Sequence, residues 1–403
     1  MRVLCISNDI PLPANSGGRV DVWRRLGALR AAGHTVALLC WADQGRGEQP
    51  SAAVMQELQD ACETVRVIPI SRSLAEIARR LLHLWRWPSH VAARWVTSRG
   101  AELERWCSEF APDVVLLDGL YGGAVATDLS RRARVPLWYR SHNIEHRYME
   151  AQRMRETRVA RRIGLAANCL GLERFERDVI RRARRVFDIS RDDAAYWREC
   201  GMAHVEWLPT LVDEDYIARL EAAKVDQPEF DILYFGNLNT PNNVEAAAWL
   251  VRDVLPHIVN PGLRIAIAGS RPSDEMRFIL QQDARIELIE NPEDMAAVVA
   301  RARLLVNPMR AGSGVNLKSV EMLFSRAALV STSVGVGGLP PEAKACFAVE
   351  DDAKAFARAI ERGLAEQVDE ELIQMRATVR MVFLSSEVSS FFGARSMPGG
   401  VSC

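Results

Sequence analysis

Pro308-Met309-Arg310-Ala311-Gly312-Ser313-Gly314-Val315-Asn316-Leu317-Lys318-Ser319-Val320-Glu321-Met322-Leu323 is the stretch on which the reading of this chain turns. The apolar run Leu304-Leu305-Val306 precedes it and has the pattern of a buried strand. Gly312-Ser313-Gly314 is a small-residue turn. After it, apolar residues recur at Val315, Leu317, Val320, Met322 and Leu323, as in a helix packed on a sheet. Strand, glycine turn and helix place free backbone N–H groups and a positive helix end at the C-terminal rim of a sheet, where a phosphate is well received. Lys318 and Glu321 are three apart and share a helix face; Arg310 stands just before the turn. Cations at the turn suit a diphosphate, and a carboxylate one turn on suits the hydroxyls of a ribose. The plainer alternative is an ordinary strand–loop–helix unit with surface charges.

Working outward, the chain has 403 residues, enough for two or three domains with separate cores. Its formal net charge of -1 gives no global field for nucleic acid. No apolar run reaches the roughly 18 residues that span a bilayer, and the N-terminus runs straight into a strand pattern without a signal-peptide cleavage site. The eight cysteines are scattered, without metal-ligand or paired spacing, which implies reduced thiols. A cytoplasmic protein is expected.

Strands and helices alternate through both halves. A strand over Val3 to Ser7 leads through a polar loop with Ser16-Gly17-Gly18 into a helix marked by Val20, Val22, Trp23, Leu26 and Leu29, then a strand over Thr35 to Trp41. Further strands are expected over 65–70, 113–118, 136–140, 186–189 and 205–208, and a helix over 71–87. The polar run 221–230, with Pro228, marks a linker between an N-terminal domain, 1–220, and a C-terminal one, 231–384; 385–403 is an atypical tail rich in Ser and Gly. In the second half, strands are expected over 232–235, 264–268, 286–289, 304–306, 329–331 and 347–349, with helices over 244–258, 293–301 and 353–364. The predicted fold class is α/β: two doubly wound Rossmann-like domains facing each other, with ligands in the cleft beyond the strand C-termini.

The chain resembles the family 4 glycosyltransferases of the GT-B fold over about residues 1 to 365. The residues carrying the resemblance are Phe235-Gly236-Asn237-Leu238, Pro241-Asn242-Asn243, the strand end Ala268-Gly269, Pro308 to Leu323, Ser16-Gly17-Gly18, and Ser141-His142-Asn143-Ile144-Glu145-His146. The resemblance implies a retaining, metal-independent hexosyl transfer from a nucleoside-diphosphate sugar, with no cofactor. The donor is expected on the C-terminal domain, at Gly236, Asn237, Asn291, Arg310, Ser313, Gly314, Val315, Asn316, Lys318 and Glu321, with Gly17 and Gly18 contributing from the N-terminal one. His142, Arg310 and Lys318 are the expected catalytic residues. Of the family's two Glu residues, Glu321 matches the second, whereas Ser313 occupies the place of the first. The family's usual lysine after the Gly-x-Leu segment has no counterpart in Asn239 to Asn243, so Arg310 and Lys318 would supply that charge. A catalytically weak nucleotide-sugar-binding protein and a nucleotide-sugar epimerase are the alternatives.

Two features stay open. His142-Asn143-Ile144-Glu145-His146 fits the inverted zinc-protease pattern, a buried or capping histidine, or a histidine that donates a hydrogen bond to the donor sugar. Residues 131–185 hold sixteen arginines against six acids, and Arg79 to Trp87 is basic and apolar. These are either solvated helix faces or a surface for a lipid-diphosphate-linked glycan acceptor, with peripheral contact to the anionic inner membrane face.

Overall fold

The computed structural model describes residues 1–384 other than 72, 99, 226 and 367; the tail expected at 385–403 lies outside the described residues. The chain divides into two compact units at Pro209/Thr210, eleven residues before the expected boundary at 220. The reason is a helix, Glu214–Ala222, that the sequence reading did not assign. It buries Tyr216 and Leu220, packs on helix Met295–Ala300, and brings Arg219 to 3.8 Å from Asp294. Its apolar face thus belongs to the C-terminal core.

The N-terminal unit is built on seven parallel strands: β1 (Arg2–Ser7), β2 (Thr35–Asp43), β3 (Thr64–Ile70), β4 (Val114–Asp118), β5 (Leu137–Ser141), β6 (Arg185–Asp188) and β7 (Val205–Trp207), in the order β3-β2-β1-β4-β5-β6-β7. The C-terminal unit has six, all parallel: β8 (Phe230–Asn237), β9 (Ile265–Ser270), β10 (Ile286–Glu290), β11 (Ala302–Asn307), β12 (Ala328–Ser331) and β13 (Ala348–Val349), in the order β10-β9-β8-β11-β12-β13. The inner strands are continuously apolar because helices cover both faces of each sheet. Each order reverses direction once, between β1 and β4 and between β8 and β11. At such a switch point neighbouring loops diverge and leave a crevice at the strand C-termini.

Two local departures matter later. The helix expected over 71–87 covers only Leu74–Leu81 and continues in turns. Trp87 packs on Trp95 with ring centroids 4.8 Å apart, whereas Trp85 is 81% exposed. The helix after the Gly312-Ser313-Gly314 turn spans just Leu317–Met322 and does not begin at the turn.

Candidate functional site

The two stretches that stand out in the C-terminal half leave adjacent strands at its switch point. β8 ends in Gly236-Asn237, and β11 ends in Asn307, one residue before the Pro308–Leu323 segment. The close approach of β8 to β9 requires a glycine at 269, since a Cβ there would lie 1.8 Å from the Gly236 carbonyl oxygen. Gly236 itself has φ +152°, and a Cβ on it would meet the Lys318 Nζ at 3.2 Å. The glycine therefore leaves room for an ammonium group.

Lys318 occupies that room. Its side chain is buried, with 8% of the residue exposed, and its Nζ has no hydrogen-bond partner. The Nζ stands 4.1 Å from the centre of the Tyr234 ring, a cation–π contact that only partly replaces lost hydration. Burial drives its pKa down to about 7, against the opposing pull of the Glu321 carboxylate. A buried, unpaired ammonium at a strand rim is costly, and the anion that would relieve it is the natural occupant of the crevice.

Arg310 is held differently. Its guanidinium lies 4.8 Å from the centre of the Trp249 ring and donates to the Asp351 carbonyl oxygen at 2.8 Å. The two cations expected to act as a pair thus occupy distinct settings, one exposed and one buried. Between them, Gly314 takes a positive φ of +66°, which bends the chain before the short helix. Contrary to expectation, the turn does not open the helix, and its N–H groups are not those of a helix end. Val315 and Asn316 intervene, and Asn316 caps the helix, its Oδ1 accepting from the Lys318 N–H at 3.2 Å. Ser313 is exposed beside the turn, and Glu321 is half-buried one turn beyond Lys318. The short helix is fixed from below by buried Asn307, whose Nδ2 donates to Ser319 Oγ at 2.8 Å, while Ser319 donates to the Gly335 carbonyl at 2.7 Å. Asn291, in the left-handed region at φ +48°, accepts from the Arg271 N–H at 2.9 Å, and Asn237 Oδ1 accepts from the Asn239 N–H at 3.1 Å. Both side chains shape the rim loops.

In the N-terminal unit the corresponding switch point carries a paired charge cluster. Helix Gly17–Ala31 follows β1, and no side chain caps its start at Ser16. A Cβ on Gly18 would meet nothing within 4 Å, so the space above that helix end is open. Asp21 on this helix and Asp118 at the end of β4 flank Arg140 at the end of β5; all three are buried. His142, just past β5, places Nε2 2.6 Å from Asp118 Oδ1. Burial would raise both aspartates, but Arg140 and His142 outweigh it and hold them below the ordinary carboxylate range. Arg25, buried in the same cluster, donates to the Pro209 carbonyl at 2.7 Å; burial and the like charge of Arg140 lower its pKa to about 9. Arg140 Nη1 lies 3.1 Å from the same Nε2, so both the carboxylate and the guanidinium hold the ring in place.

The two histidines of the zinc-protease pattern are held apart by different carboxylates. His142 lies on Asp118, whereas His146 Nδ1 lies 2.6 Å from Glu176 Oε2. Glu176 also accepts from the backbone N–H groups of Glu145 and His146, so it caps helix Glu145–Arg155. Glu145 is tied to the Tyr121 hydroxyl at 2.9 Å. Among the described residues no group of three or more His, Cys, Asp or Glu side chains is placed to hold a metal ion.

Asp21, Asp118, Arg140, Tyr234 and Trp249 were not singled out from sequence. The charged ends of the apolar strands 113–118 and 136–140 were the available signal. The Trp249 and Tyr234 contacts depend on packing that the sequence pattern does not carry.

Comparison with known proteins agrees with this layout. Residues 16–210 match the family described as "Glycosyl transferase 4-like domain", and residues 229–366 match "Glycosyl transferases group 1". The chain is 26% identical over 373 residues to an "Uncharacterized 44.6 kDa protein in cps region" of Klebsiella pneumoniae, covering 89% of this chain and 90% of that protein. Among solved structures, the fold is similar to sucrose-phosphate synthase of Thermosynechococcus elongatus, with a TM-score of 0.65 at 16% identity over 98% of both chains. It is also similar to Anabaena HepE in complex with UDP and glucose, with a TM-score of 0.61 at 13% identity over 97% of this chain and 98% of that one. Two doubly wound sheets and two family matches, one on each unit, lead to one conclusion: the chain belongs to the family 4 glycosyltransferases of the GT-B fold and is a glycosyltransferase.

Proposed function

We propose that this enzyme transfers a hexosyl group, with retention of anomeric configuration and without a metal ion, from a nucleoside-diphosphate sugar to a glycan or lipid-diphosphate-linked acceptor in cell-surface polysaccharide synthesis. The observation that carries the proposal is the unpaired Lys318 ammonium in the glycine-lined rim beside Gly236. A diphosphate oxygen there supplies the missing counter-charge. As the bond from the anomeric carbon to the phosphate oxygen breaks, negative charge grows on that oxygen, and Lys318 stabilises it. The acceptor oxygen bonds to the same carbon, and its proton passes to the departing phosphate. Arg310 reinforces the charge from the exposed side, Gly314 lets the chain approach closely, and Glu321 accepts from the ribose hydroxyls. On the N-terminal unit we assign His142, held by Asp118, to the reacting sugar, and the open end of the helix at Gly17 and Gly18 to the donor phosphates. The relative from a cps region supports the polysaccharide setting, and HepE, captured with UDP and glucose, supports the donor class. Among the described residues no helix is long and apolar enough to cross a membrane, which is compatible with peripheral action at the inner membrane face.

The test is a screen of nucleoside-diphosphate sugars by thermal shift, then product analysis with the donor that binds. The α-anomeric donor should yield an α-linked product, and Lys318→Ala should lower turnover by roughly a hundredfold. Unchanged turnover in that variant would refute the assignment of Lys318, and an inverted product would refute retention.

A further inference from the structure

The N-terminal unit has a large concavity lined by none of the switch-point residues. It is a groove of about 970 Å³ between the turn after helix Leu74–Leu81 and the helices Gly123–Ala133 and Leu172–Arg182. Five arginines, Arg86, Arg131, Arg174, Arg181 and Arg182, line it against two aspartates, Asp128 and Asp178. The aspartates are already engaged, Asp128 with Arg131 at 2.6 Å and Asp178 with Arg182 at 2.9 Å. Arg174 and Arg181 carry no ion pair among the described residues, and Arg86 lies against the Trp87 ring at 4.5 Å. The net charge facing the groove is therefore positive and uncompensated.

The lips of the groove are apolar and exposed. Trp85 is 81% exposed on one side and Leu170 59% on the other. Along the segment leading to Trp85, Leu74, Leu81 and Leu82 are exposed by 86%, 60% and 71%. Helix Val159–Cys169, which leads to Leu170, exposes Val159 and Ile163. Helices Leu74–Leu81 and Val159–Cys169 bury no residue fully; Leu165 and Cys169 of the second rest partly buried against the core, and the exposed Leu74, Leu81, Val159 and Ile163 have no such cover. Short helices of this kind draw most of their stability from packing of an apolar face, and contiguous exposed apolar surface marks a docking site.

We propose that this groove and its rim dock on a leaflet of anionic phospholipid. Arg86, Arg174 and Arg181 bind headgroup phosphates, and Leu82, Trp85 and Leu170 enter the acyl boundary. Charge selects this occupant over a second copy of the chain, because a two-fold interface would set arginine against arginine. A bilayer surface answers both halves of the patch at once: phosphates for the guanidinium groups and hydrocarbon for Trp and Leu. The inference deepens the reading of a lipid-carried acceptor and rests on it only for its biological setting.

Flotation of the full-length protein with vesicles tests it. One set is phosphatidylcholine alone, the other contains phosphatidylglycerol as roughly a third of the lipid. Binding should require the anionic lipid and fall with salt. Arg174→Glu with Arg181→Glu should weaken it by on the order of tenfold or more, and Leu82→Ser with Trp85→Ser should abolish the part that survives high salt. All four positions are exposed, so the variants should keep the wild-type thermal shift with nucleoside diphosphates, which confirms their fold and probes the donor site separately. Equal recovery on the two vesicle types, no recovery, or variants that float like the wild type would overturn the proposal. So would a dimer, seen in size-exclusion chromatography without lipid, that Leu82→Ser with Trp85→Ser dissociates. Failure of the donor reading would instead appear as no nucleotide response in any of these proteins.

Discussion

Both units bury positive charge at the switch point of a parallel sheet, but they treat it in opposite ways. In the N-terminal unit Arg140 is surrounded by Asp21, Asp118 and His142, and Arg25 reaches the Pro209 carbonyl. In the C-terminal unit Lys318 has an aromatic ring beneath it and no hydrogen-bond partner. The first arrangement carries its own counter-charges, although Arg140 Nε and Nη2, Asp21 Oδ1 and Asp118 Oδ2 are likewise buried without a hydrogen-bond partner; it fixes the ends of β4 and β5 and so the place of His142. The second gains a counter-charge in hydrogen-bond contact only when an anion is bound. A buried cation with its counter-charge supports architecture, whereas one without it is a binding site.

The strongest way to break the comparison is to remove each cation and leave an apolar chain of similar size. Arg140→Met strands two buried carboxylates, and should cost roughly 3–5 kcal/mol in denaturant unfolding. Lys318→Met removes a buried charge that has no hydrogen-bond partner, so the free protein should be as stable as the wild type or more so. Equal losses in both variants would mean that the two cations play the same structural part.

A smaller effect is expected at the glycine that makes room for the ammonium. Gly236→Ala places a Cβ 3.2 Å from the Lys318 Nζ on a backbone at φ +152°. Strain there should cost on the order of 1–3 kcal/mol of stability, and displacement of Lys318 should weaken nucleoside-diphosphate binding as well. Calorimetric titration of the variant reads both; an unaltered affinity would show that Lys318 does not need that space.

The smallest effect belongs to the carboxylate. Glu321→Gln keeps the shape but removes the charge that accepts from ribose hydroxyls, so affinity for a nucleoside diphosphate should fall roughly tenfold. Affinity for inorganic diphosphate, which has no ribose, should not fall. Equal losses for both ligands would move Glu321 from ribose recognition to electrostatic support of Lys318.

The two sides of this comparison were unequally legible in the sequence. The alternation of apolar strands with helical patterns carried the two doubly wound units, because parallel strands buried on both faces leave continuous apolar runs. Lys318, Glu321 and the glycines are close together in the chain, so spacing alone brought them to one rim. The Asp21–Arg140–Asp118–His142 cluster joins residues from three separate elements, and only the fold assembles it. The units divide at 209/210 and not at 220 because helix Glu214–Ala222 packs its apolar residues Tyr216 and Leu220 on the C-terminal side, a partner that its position before the polar run 221–230 does not reveal. The zinc-like His142–His146 spacing was ambiguous for the same reason. The two histidines turn to different carboxylates, which the spacing could not reveal.

The central claim, that Lys318 awaits a diphosphate, is tested most directly by proton uptake on binding. Burial, opposed by Glu321, places the free lysine's pKa near 7, so at pH 8 it is mostly neutral. A bound diphosphate restores the charge and raises that pKa, and affinity should therefore decline as pH rises above about 7. Calorimetric titration of a nucleoside diphosphate at pH 8, in two buffers of different ionisation enthalpy, counts the protons. The account predicts uptake of close to one proton by the wild type and none by Lys318→Met. No uptake by the wild type, or the same uptake by both proteins, would contradict it.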